Sequence, residues 1–146
     1  MKPEGRRQSP CYNLGMTLRA QPAEDLKVRT RRFAGEIVRA YQALPIKRVE
    51  VQVLGKQMLR SGTSVGANYC EASRARSRDE FVAKVELCSQ EAAETQYWIE
   101  LLQKECEVVD DRLPGLWFEA NELIAIFVTM ARNAKRSRNL NGRPGT

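Results

Sequence analysis

Between Ser77 and Cys106 the chain carries one continuous apolar seam, Phe81, Val85, Cys88, Ala92, Thr95, Ile99, Leu102 and Cys106, whose spacings alternate four and three residues. A helix repeats about every 3.6 residues, so this alternation puts all of them on one stripe, whereas a strand would need a period of two. Such a stripe has to be covered by other helices, packed in a coiled-coil-like way within a bundle. The start of this helix is marked as well. Ser77-Arg78-Asp79-Glu80 is a capping box: the serine oxygen accepts from the backbone N–H three residues on, and Glu80 reaches back to the cap. Asp79 and Glu80 also suit the positive end of the helix dipole. The spacing therefore predicts a helix beginning at Arg78, with Leu87, Trp98 and Leu101 widening its apolar face.

Three further helices follow from the same argument. From Glu24, Leu26, Phe33, Ile37, Ala40 and Leu44 share a face until Pro45, which lacks a backbone donor and biases the preceding residue away from helix. A second helix starts near Arg48 with the stripe Val51, Leu54, Met58, Val65, Tyr69 and Ala72. Gly62 and Gly66 lie inside it, each lowering helix propensity by about 1 kcal/mol relative to alanine. The small-residue run Ser61, Gly62, Ser64, Gly66 and Ala67 points to close approach of a neighbouring helix, the alternative being two tolerated glycines without special packing. After a turn over Val108 to Gly115, in which Asp110 or Asp111 caps and Pro114 enters the first helical turn, a fourth helix carries Leu113, Trp117, Ala120, Ile124, Phe127, Ala131 and Ala134. A second row, Leu116, Leu123 and Met130, exceeds what a lone four-helix core requires and favours self-association. The fold class expected is all-α, an up-down-up-down antiparallel four-helix bundle over residues 24–137. Its second and third helices, each roughly 28 residues and so about 42 Å long, form the long hairpin, with the first and fourth shorter.

The flanks differ in kind. Residues 1–23 hold three prolines, two glycines and four basic residues and read as a disordered basic arm, with a processed targeting peptide as the rival and Met16 as an alternative start to Met1. Residues 138–146 read as a flexible basic tail in which proline and glycine end the helix.

The composition excludes more chemistry than it suggests. Histidine is absent, which removes the commonest general acid/base and metal ligand. The glutamates of the third helix thus lack the Glu-x-x-His partners of a di-metal carboxylate bundle. No nucleophile elbow, zinc-protease helix, P-loop or dinucleotide fingerprint is present. The expectation is a protein that is not an enzyme and needs no cofactor, no metal and no small-molecule substrate. Cys11, Cys70, Cys88 and Cys106 are widely spaced and read as reduced thiols. No uninterrupted apolar run approaches the roughly 20 residues of a membrane span, so a soluble cytoplasmic protein is expected.

Charge is segregated. From Asp79 to Asp111 ten acidic residues face only Lys84 and Lys104, a net −8, which leaves +14 for the rest of a chain whose total is +6. The positive charge forms four groups: Lys27, Arg29, Arg31 and Arg32; Lys47, Arg48, Lys56 and Arg60; Arg74, Arg76 and Arg78; Lys135, Arg136, Arg138 and Arg143. Such a surface neutralises phosphates largely without reading sequence. It serves equally to pair with the acidic helix of the same or a neighbouring subunit. Lys47, Arg48, Lys56, Arg60, Arg74, Arg76 and Arg78 are the candidate nucleic-acid contacts. Asn68 and Glu71 are expected to bond across the hairpin or to Arg74, and Tyr69 and Trp98 to pack in the core or an interface rather than stack on bases.

The segment Leu59 to Leu102 also carries a resemblance. Leu59-Arg60, Ser64, Val65, Ala67-Asn68 and Glu71-Ala72 precede the Ser77, Glu80-Phe81 cap and then Glu91, Glu94 and Thr95. This pattern resembles the bacterial four-helix bundle proteins related to the product of the intervening sequence in 23S ribosomal RNA genes. The resemblance covers the four helices and neither tail. It implies a non-enzymatic homopentamer. It also brings in the accessory proteins of diversity-generating retroelements, which work with a reverse transcriptase and structured RNA. The long basic arm, and Gly66 where proline is common, depart from the family pattern.

Overall fold

The structure, a computed structural model, describes residues 25–141. Four helices account for nearly all of them: α1 (Leu26–Ala43), α2 (Val49–Ala72), α3 (Arg78–Lys104) and α4 (Arg112–Asn141). They form the expected up-down-up-down bundle. α2 packs along α3, α3 along α4 and α1 along α2, while α1 meets α4 over a short stretch only and no diagonal pair brings its backbones together among the described residues. The basic arm, the alternative start and Arg143 lie outside the described residues.

The caps fall where residue chemistry puts them. Asp25 Oδ1 accepts from Lys27 N at 3.0 Å at the start of α1, and Ser77 Oγ from Glu80 N at 3.1 Å at the start of α3. The capping box closes one residue earlier than a standard one, since Glu80 Oε2 accepts from the backbone N–H of Arg76. Asp110 Oδ1 accepts from Arg112 N at 2.8 Å. Ser77→Ala should cost about 1 kcal/mol, read as a lower midpoint in urea with an unchanged slope.

Helix lengths depart from expectation slightly at α2, which falls short of about 28 residues, and most at α4. α4 has 30 residues against 27 in α3, 24 in α2 and 18 in α1. It is the longest helix rather than a short one, because nothing between Lys135 and Asn141 breaks a helix; Gly142 and Pro144 come later.

The core confirms the α3 seam from Val85 to Cys106, where all positions are buried, whereas Phe81 is half-buried and Val82 takes its place inside. On α4 the inner row is Leu113, Leu116, Ala120, Leu123, Phe127 and Ala131. Leu116 and Leu123 thus belong to the intramolecular core, and Trp117 and Ile124 flank it half-buried. Among the described residues α4 alone is long and apolar enough by composition to cross a membrane, but its apolar character includes this inner row packed within the bundle.

Polar residues occupy seam positions too. Thr30, Ser61 and Thr95 are fully buried. Thr30 Oγ1 donates to the Leu26 carbonyl at 2.6 Å, Thr95 Oγ1 to the Glu91 carbonyl at 2.8 Å, and the Ser61 and Thr95 hydroxyls meet across the α2–α3 interface at 2.8 Å. No described buried side-chain polar atom lacks a partner, as burial without loss of hydrogen bonding requires.

The glycines make the α1–α2 contact. A Cβ on Gly62 would stand 2.7 Å from Ile37 Cγ1, one on Gly55 2.6 Å from Leu44 Cδ1, and one on Gly66 3.3 Å from Thr30 Oγ1. The close approach inferred from the small-residue run is real, and α1 is the helix that fills it.

Candidate nucleic-acid interface

Three antiparallel hairpins decide which charges share a surface. Thr30 lies against Gly66, so the N-terminal half of α1, with Lys27, Arg31 and Arg32, runs beside the C-terminal half of α2. The α2–α3 turn follows directly, with Arg74, Arg76 and Arg78 exposed on it. Lys135 on α4 pairs with Glu86 on α3, and Arg78, Ala134 and Lys135 line one small hollow. The last turns of α4, with Lys135 and Arg136, therefore stand beside the hinge. Three of the four basic groups converge on one end of the bundle.

The fourth group does not. Lys47 and Arg48 lie in the α1–α2 turn at the opposite end, about 40 Å away along the 27 residues of α3. Arg48 is architectural there: its Nη1 donates to the Cys106 carbonyl at 2.8 Å and its Nε to Glu50 at 2.8 Å. That end carries the acidic α3–α4 turn, Glu105, Glu107, Asp110 and Asp111, in which Glu107 takes a positive φ of 53° and the Val108 N–H returns to the Leu102 carbonyl at 2.9 Å. Lys56 and Arg60 sit exposed on α2 between the two ends.

Several cations are already neutralised within the chain. Arg60 pairs with Glu91 at 3.4 Å and with Glu94, which raise its pKa chiefly through the Glu94 hydrogen bond. Lys84 pairs with Glu71 across the hairpin. Arg29 Nε donates to Glu119 at 2.6 Å and its guanidinium also reaches Glu122. These carboxylates, the Glu119 hydrogen bond foremost, raise the Arg29 pKa against partial desolvation. Arg29 is the polar clasp of the short α1–α4 contact. Arg29→Met should cost about 1–2 kcal/mol in urea unfolding, and the loss should be non-additive with Glu119→Gln.

By contrast the side chains of Arg74, Arg76 and Arg78 make no ion pair or hydrogen bond among the described residues. Of the motif residues, Asn68 bonds neither across the hairpin nor to Arg74, since its Nδ2 donates to the Ser64 carbonyl one turn back at 3.0 Å. Glu71 crosses the hairpin to Lys84 instead of Arg74. Tyr69 is half-buried with its ring 5.9 Å from that of Phe127, and Trp98 is half-buried with its indole N–H on Glu94 at 3.1 Å. Both rings are thus engaged within the bundle. Cys88 is buried, which pushes its thiol up to about 12; it is inert at neutral pH. No group of acidic, cysteine or histidine side chains among the described residues is placed to hold a metal ion.

The sequence profile of the 23S rRNA-intervening sequence proteins matches residues 24–128, which includes α1, α2, α3 and over half of α4. The chain belongs to this family. Among solved structures it is similar to a protein of unknown function from the S23 ribosomal protein family of Bacteroides thetaiotaomicron VPI-5482, with 33% identity and a TM-score of 0.66. That match covers 73% of this chain and 97% of the other. None of the curated proteins compared with the chain matches it. The family match stops before Lys135 and Arg136, so the α4 part of the basic end lies beyond it.

One further cation at this end had no clear signal in the sequence. Arg132 joins Lys135 and Arg136 on one face of α4 beside the hinge. Its i, i+3, i+4 relation to them was visible, but the length of α4 was not.

Proposed function

We propose that this chain is a non-enzymatic, homo-oligomeric bundle that binds structured RNA through the phosphates, using the basic end formed by the α2–α3 turn and the last turns of α4. The observation that carries this reading is the contrast among the arginines. Arg29, Arg48 and Arg60 are consumed within the chain, whereas Arg74, Arg76 and Arg78 stand exposed and unpaired among the described residues. Three arginines without an ion pair, within five residues of one another, attract a polyanion. The family name, which refers to 23S rRNA, supports an RNA context. Apolar side chains left on the outer faces of α3 and α4, Tyr97 at 54% and Phe118 at 65% exposure, support self-association.

A second reading is favoured by the acidic turn at the far end of the bundle: the two ends of successive subunits pair, and the charges serve a protein scaffold. Electrophoretic titration with structured RNA and duplex DNA at low and moderate salt, alongside light scattering, separates the two. RNA binding that weakens steeply with salt is the expected result. A discrete oligomer that binds neither nucleic acid even at low salt would establish the scaffold reading.

A further inference from the structure

The seam between α3 and α4 opens, on its outer side, into a groove of about 490 Å³ beside the basic end. Ser89 and Gln90 line it from α3, and Val128, Arg132, Arg136 and Asn139 from α4. Arg132 and Arg136 are four residues apart and so about 6 Å apart along the helix. Both are exposed and neither has an ion pair among the described residues. The carboxylate in the groove, Glu86, is neutralised by Lys135. Across that pair a smaller hollow of about 150 Å³ leads to Arg78. Arg78, Lys135, Arg132 and Arg136 thus follow the seam from the hinge into the groove, with Asp79 and Glu86 as the carboxylates among them, and side chains able to donate and accept hydrogen bonds line the groove itself.

We infer that this groove receives a single unpaired nucleotide of the bound RNA, with phosphates on Arg132 and Arg136 and the base among Val128, Gln90 and Asn139. The inference rests on the RNA reading above and deepens it, from phosphate neutralisation to a class of RNA. A fully paired helix offers a protein its phosphates, its 2′-hydroxyls and its shape, whereas an extruded base exposes edges that amide side chains can pair with. The bare cations of the hinge serve either substrate. Gln90 and Asn139 can donate to phosphates or 2′-hydroxyls of either, but only the extruded base offers an edge that uses their donor and acceptor together.

The test is a fluorescence-anisotropy titration of the full chain with two RNA hairpins of equal length and charge, one fully paired and one carrying a single extruded nucleotide. The extruded form should bind about tenfold more tightly. Q90A/N139A should lose that preference while its circular dichroism stays that of the wild type, since both side chains are exposed. Equal affinity of the wild type for the two hairpins overturns the groove assignment and leaves phosphate binding standing. A preference that survives in Q90A/N139A overturns it as well. If neither hairpin binds, the RNA reading fails and takes the groove with it.

Discussion

Gly62→Leu should unseat α1 from α2 and remove cooperative unfolding, or lower stability by more than about 3 kcal/mol. Even the first added carbon has nowhere to go. It would lie 2.7 Å from Ile37 Cγ1, 2.9 Å from Cγ2 and 3.0 Å from Cδ1. Ile37 is fully buried and has no empty space into which to withdraw, because interiors are packed to crystal-like density. Gly62→Ala gains about 1 kcal/mol of helix propensity, yet the same clash should make it a net loss of about 1–2 kcal/mol. Gly35→Ala is the contrasting case. There a Cβ meets only the Arg39 guanidinium at 3.5 Å or more, so the propensity gain of up to about 1 kcal/mol should survive. Urea unfolding of the three variants reads the difference. A Gly62→Leu protein as stable as the wild type would show that α1 and α2 do not need their close approach.

That close approach was legible in the sequence, since glycines repeated inside a helix must be held by something. Other parts of the core were legible only as positions. Thr95 was legible as a seam position and Ser61 as one of the small-residue run, whereas Thr30 was not legible; all three are buried, and their partners, a carbonyl one turn back or a hydroxyl on another helix, appear only in the fold. On α4, two apolar rows competed. Leu116 and Leu123 went inside while Trp117 and Ile124 flank them, and periodicity alone did not rank rows one residue apart. The charges were the least legible part. Lys47 and Arg48 are near in sequence to the rest of α2 but stand at the opposite end of the bundle from the hinge, and Arg60 finds Glu91 and Glu94 only once α2 and α3 are folded back on each other. Which arginines stay free depends on the register of three hairpins, and no local pattern encodes that.

Replacing Arg74, Arg76 and Arg78 by glutamine should have the largest effect on function and almost none on the fold. The three side chains are exposed and pair with no charge among the described residues, so stability should change by no more than about 0.5 kcal/mol. Every phosphate that the variant leaves unneutralised keeps its condensed counterion, so the slope of log affinity against log salt should fall by about 2–3. A cooperative loss of helicity in this variant would assign the arginines to structure.

The location of the binding surface is tested most directly by titrating one structured RNA, between about 50 and about 200 mM salt, against the wild type, R74Q/R76Q/R78Q and K47Q/K104Q. The last variant removes charge from the far end of the bundle. Binding through the basic end predicts a shallower salt slope and weaker affinity for the hinge variant, with K47Q/K104Q following the wild type. A hinge variant that binds like the wild type, or a far-end variant that is weakened as much, would contradict it.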